Sequence, residues 1–242
     1  MNLYEGNVNM PTDVIETGRI RMNREDVRAP LRDELDRTKA RIVEVAETFF
    51  AEDGYEGAKI RTIAEAASVN IAAVNYHFGT KNNLFETVFA RRVVPMNEDR
   101  LRRLDAALAV SKPPSLASIV DAFVRPPLST GAMEDDASRI VQMKFLSRAF
   151  SLPDEETLLK SYYRDVRTRF LDALHSALPE LEFDLLILRY NLMVGALIYA
   201  LGGSERMMRL PEGLNGQRPA NALQMDMLIE QISKFCVAGF RA

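Results

Sequence analysis

The sequence predicts an all-α fold: a three-helix module of helix-turn-helix type near the N-terminus, then a larger helical domain. Three observations carry this expectation. Apolar residues recur at helical spacing, with no strand-like alternation, repeat or low-complexity run. Breaks fall at Lys112-Pro113-Pro114, Pro126-Pro127, Pro153, Pro179 and the Gly/Pro-containing stretch 203–219. Between residues 38 and 85, one long amphipathic helix precedes two short ones joined by a tight turn, and another opens after Gly79-Thr80-Lys81.

The long helix places Ile42, Val45, Ala46, Phe49 and Phe50 on one face, with Thr38 as N-cap and Gly54 ending the run. The next helix turns Ile60, Ile63, Ala64 and Ala67 inward; Ser68, Val69 and Asn70 make the turn. A helix over 71–77 then offers Ile71, Val74 and Phe78 to the interior. Ala64, Ala67, Ala72 and Ala73 are small enough for a steep, close crossing, the arrangement in which a second helix enters the DNA major groove. The following helix is expected to stop near Val94, before Pro95. Further helices are read at 96–110, 115–125, 135–151, 154–178, 181–202 and 220–240. Residues 1–36 read as a flexible, solvated extension with helical character near 31–37, whose Arg19, Arg21, Arg24 and Arg28 offer a second reach toward DNA. The domains are thus 1–36, 37–92 and 93–242.

A chain of 242 residues with 47% hydrophobic content supports a small module and a larger domain. A net charge of −3 argues against indiscriminate coating of nucleic acid but not against a local DNA-binding face. Residues 38–92 carry seven basic and seven acidic side chains, yet 66–85 contain no acid, as a phosphate-lined groove requires. A single cysteine, Cys236, suits a reducing compartment. The N-terminus lacks a signal-peptide pattern, and the apolar stretch 185–201 is short and interrupted by Arg189 and Asn191, so a cytoplasmic location is expected.

Residues 60–84, IRTIAEAASVNIAAVNYHFGTKNNL, resemble the tetracycline-repressor (TetR) family of transcriptional regulators, and the resemblance covers residues 38–92. The shared pattern is a hydrophobic-x-x-Ile-Ala start, Val at the turn, an aromatic end to the third helix, and Lys two residues after Gly or Pro. Three positions depart from it. Ser68 stands where Gly is usual, Ala58-Lys59 where a capping hydroxyl is favoured, and Ala73 where Thr is common. The resemblance implies that Tyr76 and Lys81 contact the DNA backbone. It also implies a small-molecule inducer held between helices of the second domain.

Candidate DNA contacts follow from chemistry and position. Asn75 is the base-reading candidate, since its amide matches an adenine edge. Ala72 and Ala73 suit thymine methyl groups or close approach, and Asn70 serves as N-cap or base contact. Tyr76, His77 and Lys81 are short donors for phosphate, Lys81 at the start of the fourth helix; Arg61 and Thr62 could clamp the flanking strand.

In the second domain, Phe123, Met143, Tyr162, Tyr163, Phe170 and Met193 are ligand-pocket candidates beside the alternative of plain core, and the effector is expected to be largely apolar. Arg125, Arg148 and Arg167 are candidate anchors for an anionic group. Helices 181–202 (Leu185, Leu188, Leu192, Gly195, Ala196, Tyr199) and 220–240 (Leu223, Met227, Ile232, Phe235, Gly239) are the expected homodimer surface. His77, His175 and Cys236 lack zinc-ligand spacing, and no phosphate-binding glycine loop or nucleophile elbow appears. No metal, cofactor or enzymatic activity is expected. The reading is a ligand-released homodimeric repressor on a near-palindromic operator. The alternatives are a sensor or carrier that has lost DNA reading, and an activator.

Overall fold

A computed structural model describes residues 24–111, 113–129, 136–150, 155–202 and 225–242. The chain divides at Arg37, and the described residues from Thr38 to Ala242 make one compact unit. Among the described residues there are nine helices and no strand: α1 (Arg24–Gly57), α2 (Ile60–Ala66), α3 (Ile71–Phe78), α4 (Lys81–Val110), α5 (Leu116–Leu128), α6 (Asp136–Ala149), α7 (Glu155–Ala177), α8 (Phe183–Leu201) and α9 (Met225–Arg241).

α1 starts at Arg24, so Thr38 lies inside the helix and does not cap it. Residues 24–37 offer only the thin stripe Val27, Leu31 and Leu35 among many charges and include Pro30, so periodicity gives a weak signal, although most of those residues tolerate a helix well. Arg19, Arg21 and the side chains of Arg24 and Arg28 lie outside the described part. Gly54 has φ +74°, a backbone region natural to glycine, and the straight run of α1 ends there. Upstream, Ile42, Val43, Ala46, Phe50 and Ala51 are buried, while Val45 and Phe49 are only partly so.

Two proline sites depart from expectation. α4 continues through Pro95 to Val110. A mid-helix proline costs about 3 kcal/mol, but burying one large apolar side chain returns about 1.5–3 kcal/mol. Val88, Phe89 and Val93 before Pro95, and Met96 and Leu104 after it, are all buried. Packing against α5, α6 and α7 therefore holds the helix together. Likewise α5 includes Pro126 and Pro127 in its last turn, both buried, and closes with Ser129 N–H donating to the Arg125 carbonyl at 2.7 Å. Prolines at 126 and 127 have no N–H to offer the carbonyls of Ala122 and Phe123; the Phe123 carbonyl finds another donor, described below.

α5 lies against α4, α7, α8 and α9, making it the hub of the helices that follow α3; the chain from Thr38 onward is one compact unit, without a separate body beginning at 93. α8 has 19 residues and is apolar and long enough to cross a membrane by length and composition alone, longer than the stretch read from sequence. Here it packs against α5, α6, α7 and α9, and Arg189 donates to the Phe240 carbonyl at 2.8 Å.

Candidate nucleic-acid interface and ligand cavity

The α2–α3 pair is held by Ile63, Ala64, Ala67, Val74 and Phe78, all buried. Ser68 makes the turn with φ +53°, the one non-glycine described at positive φ. Asn70 caps α3: its Oδ1 accepts the Ala73 N–H at 2.7 Å. Gly79, at φ +72°, lets the chain leave α3 and enter α4, where Thr80 Oγ1 accepts the Asn83 N–H at 3.1 Å. Asn83 Nδ2 donates back to the Phe78 carbonyl at 2.9 Å. Asn70 at one end and Asn83 at the other thus fix both ends of the eight-residue helix.

The outward face of α3 presents Ala72, Asn75 and Tyr76, the last 76% exposed, with Ala73 and His77 half-buried. The Tyr76 and His77 rings meet edge to face at 5.2 Å. Ile71, expected to point inward, is exposed. It sits in the first turn, where Val74 and Phe78 already supply the inward contacts, so an apolar side chain is added to the outward face. Arg61 and Thr62 are exposed on α2, and Arg61 Nε pairs with Glu65 at 3.0 Å. Lys81 is more constrained than a free phosphate donor: its Nζ lies 4.6 Å above the Tyr55 ring and donates to the Glu56 carbonyl at 3.3 Å.

Within the larger domain a cavity of about 420 Å³ opens between α4, α5, α7 and α8. Of the pocket candidates, Phe123 and Tyr163 line it; Met143, Tyr162, Phe170 and Met193 do not. Phe170 supports Phe123 edge-on at 5.1 Å, and Met143 and Met193 are core. Tyr162 packs edge-on to Phe89 at 5.6 Å, and burial together with Glu86 raises its hydroxyl pKa. Of the expected anchors, Arg167 lies exposed on the cavity wall, Arg125 is tied to Asp121 at 2.6 Å, and Arg148 abuts Gly54.

The cavity's buried cation is Arg100, a residue sequence reasoning passed over, only 3% exposed. Its Nε donates to the Phe123 carbonyl at 3.0 Å and one terminal nitrogen to Asn97 Oδ1 at 3.3 Å, while the guanidinium lies 4.1 Å over the Phe123 ring. Burial lowers its pKa, opposed by Tyr163 and Tyr190. The signal was present: Val93, Met96, Asn97, Arg100 and Leu104 share the inner face of α4, and a polar group on such a face demands a partner.

A pair of short helices joined by a tight turn, the second capped and facing outward, followed by longer helices that line a cavity, defines a helix-turn-helix protein. Residues 42–88 match the model of bacterial regulatory proteins of the tetR family, and residues 121–239 match the tetracyclin repressor-like C-terminal domain. The chain belongs to the TetR family.

The HTH-type transcriptional repressor AcnR of Corynebacterium glutamicum is 46% identical over 48 residues, 20% of this chain and 26% of that protein. This chain therefore aligns with about a quarter of the curated relative's length. Among solved structures, the fatty acid degradation regulator FadR of Bacillus halodurans superposes with TM-score 0.59 at 15% identity, over 84% of this chain and 96% of that one. The ketosteroid transcriptional regulator KstR2 of Mycobacterium tuberculosis does so with TM-score 0.53 at 16% identity, over 83% and 93%. At such identities these two likenesses speak for the fold.

Proposed function

We propose that this chain is a cytoplasmic, homodimeric DNA-binding repressor released from a near-palindromic operator by a small ligand. The observation that carries the reading is α3 itself. It is fixed at both ends, buries Val74 and Phe78, and turns Ala72, Asn75 and Tyr76 outward in a stretch, 66–85, without an acidic residue. Asn75 supplies base discrimination; Tyr76, His77 and Lys81 supply phosphate affinity, with Arg61 and Thr62 on the flanking strand. A two-fold dimer through α8 and α9 sets two such helices about 34–36 Å apart, one per successive major groove.

The cavity supports ligand control through contacts that run to the reading module. α6 of the larger domain meets α1 where Lys144 pairs with Glu52 at 2.8 Å and Phe145 packs on Phe50 at 6.5 Å. A ligand that favours one arrangement of these helices changes the spacing of the two readers.

Fluorescence anisotropy of the full chain against labelled DNA from its own upstream region, at two salt concentrations and with random DNA as competitor, tests the reading. Saturable binding that survives the competitor supports it. Binding that salt or random DNA abolishes, there and across a wider operator screen, refutes DNA reading and leaves a sensor on the same fold.

A further inference from the structure

The cavity between α4, α5, α7 and α8 is apolar along most of its wall, with Met96, Phe123, Phe150, Val194, Leu197 and Leu201 among its lining. Two polar groups interrupt that wall in a way the protein alone does not resolve. Arg100 is buried, and among the described residues it forms no ion pair; its hydrogen bonds engage Nε and one terminal nitrogen, and beyond these it meets the Tyr163 hydroxyl but no carboxylate. The Tyr163 hydroxyl, its neighbour on the cavity wall, is buried and, among the described residues, has no acceptor for its proton; its one polar neighbour is the Arg100 guanidinium, itself only a donor. A buried cation without a counter-charge is costly in a protein interior, and a buried hydroxyl proton without an acceptor adds to that cost. Both face the same space and both can donate to one acceptor.

We propose that this cavity binds an amphipathic carboxylate, with Arg100 and Tyr163 donating to its head group and the apolar wall taking its chain. A carboxylate supplies the missing counter-charge and accepts from guanidinium and phenol together. Arg100 is held ready by the protein: the carbonyl of Phe123, freed by the missing N–H of Pro127, accepts from its Nε, and Asn97 holds a terminal nitrogen. Arg164 and Arg167, exposed at the wall, attract anions without fixing them. The proposal deepens the reading of the larger domain as a ligand sensor and is measured without DNA, so its failure leaves operator binding untouched.

The test is isothermal titration of the full chain with dodecanoate, dodecanol and dodecyltrimethylammonium. Dodecanoate binds tighter than dodecanol by about ten- to a hundredfold, the worth of charge-assisted hydrogen bonds, and the cationic probe binds weakest. Arg100→Met lowers that carboxylate-to-alcohol ratio toward unity while dodecanol still binds, an outcome a merely structural role would not give. Should Arg100→Met fail to fold, Tyr163→Phe, which keeps the ring and its packing, still narrows the ratio several-fold. The paired Arg164→Gln/Arg167→Gln variant keeps it. No dodecanoate binding, equal affinity for acid and alcohol, or a ratio that falls with Arg164 and Arg167 but not with Arg100 or Tyr163, overturns the proposal.

Discussion

Glu47 of α1 and Arg92 of α4 form a two-pronged ion pair, both hydrogen bonds 2.6 Å long, in which the carboxylate is 2% exposed and the guanidinium keeps a path to solvent. The pair fixes the angle between the first helix of the reading module and the helix that leads to the cavity. The two partners are not equivalent, because only Glu47 is fully enclosed. Removing Arg92 strands a buried charge, for which about 3–5 kcal/mol is usual, whereas removing Glu47 lets Arg92 swing outward at less expense. Arg92→Met is therefore expected to lower stability more than Glu47→Gln, and the double variant Glu47→Met/Arg92→Met to recover part of the loss. Urea denaturation of the three variants checks this; equal losses in both singles would contradict it.

The turn of the helix-turn-helix carries strain that one substitution relieves. Ser68 holds φ +53°, a conformation costing an L-residue about 1–2 kcal/mol, against which glycine's larger unfolded entropy sets about 0.4–1 kcal/mol. Ser68→Gly is expected to raise stability by roughly 0.5–1 kcal/mol. At the other end of α2, Lys59 occupies the N-cap with no side-chain hydrogen bond, so Lys59→Ser gains up to about 1 kcal/mol. A thermal melt of each variant reads both effects, which should add because the sites are at opposite ends of the helix.

The fold was legible in the sequence where apolar residues repeat, and less so where polar residues do structural work. The inner face of α2, Val74 and Phe78 of α3 (though not the exposed Ile71) and the helical character of residues 93–242 were readable from spacing alone. Pro95, Pro126 and Pro127 look like helix breaks, because local propensity records the lost hydrogen bond and not the buried side chains on either side. Glu47 and Arg100 look like solvated charges until their neighbours at helical spacing, Val43, Ala46, Phe50 and Met96, Leu104, are seen to be buried. The cavity escaped for a related reason: which aromatics line a space and which fill the core depends on where helices distant in sequence come to rest.

Two asparagines in the reading module separate structure from recognition. Asn70 Oδ1 caps α3 through the Ala73 N–H, whereas Asn75 is exposed. Asn70→Ala should cost about 1 kcal/mol of stability. Asn75→Ala should change stability by less than about 0.5 kcal/mol yet relax base preference. Denaturation together with binding to operator variants mutated one base pair at a time distinguishes them. An Asn75→Ala protein with unaltered preference would remove Asn75 from the readout.

Cys236 lies on the inner face of α9, and burial pushes its thiol up from 9.0 to about 11. At pH 8 the thiolate fraction is then about one in a thousand, against roughly a tenth for a thiol at 9.0. An aromatic disulfide reagent should modify it slowly in the native protein and quickly in urea. The linkage has a definite sign. The unfolded thiol ionises first, so the stability held by the buried neutral form is complete below pH 9 and declines as pH approaches 11. Rapid native labelling at pH 8 would mean that α9 opens readily.

The apolar residues that α8 and α9 leave outside are the basis for the last prediction. Leu188, Leu192 and Tyr199 on α8 and Met227 and Phe235 on α9 are exposed, Phe235 by 72%, while Ile232 on α9 is buried and so belongs to the core. Leu223 lies outside the described residues. Nothing stands within 4 Å of a Cβ built on Gly195 or Gly239, so these positions are open to close approach by another helix. A self-complementary interface needs about 1,000 Å² or more of good packing, and two adjacent helices with such faces are of the right kind to provide it. Leu192→Asp and Phe235→Asp should each yield a monomer in sedimentation with helicity intact, because neither side chain is part of the buried core. Gly195→Leu should do the same by obstruction, though its monomer has room for the new side chain. Operator affinity should fall by a hundredfold or more in each, since one reading helix then binds without the effective concentration that tethering gives the second. Dimers that persist in all three variants would move the interface elsewhere, and a monomer that still binds the full operator with undiminished affinity would remove the need for two-fold reading.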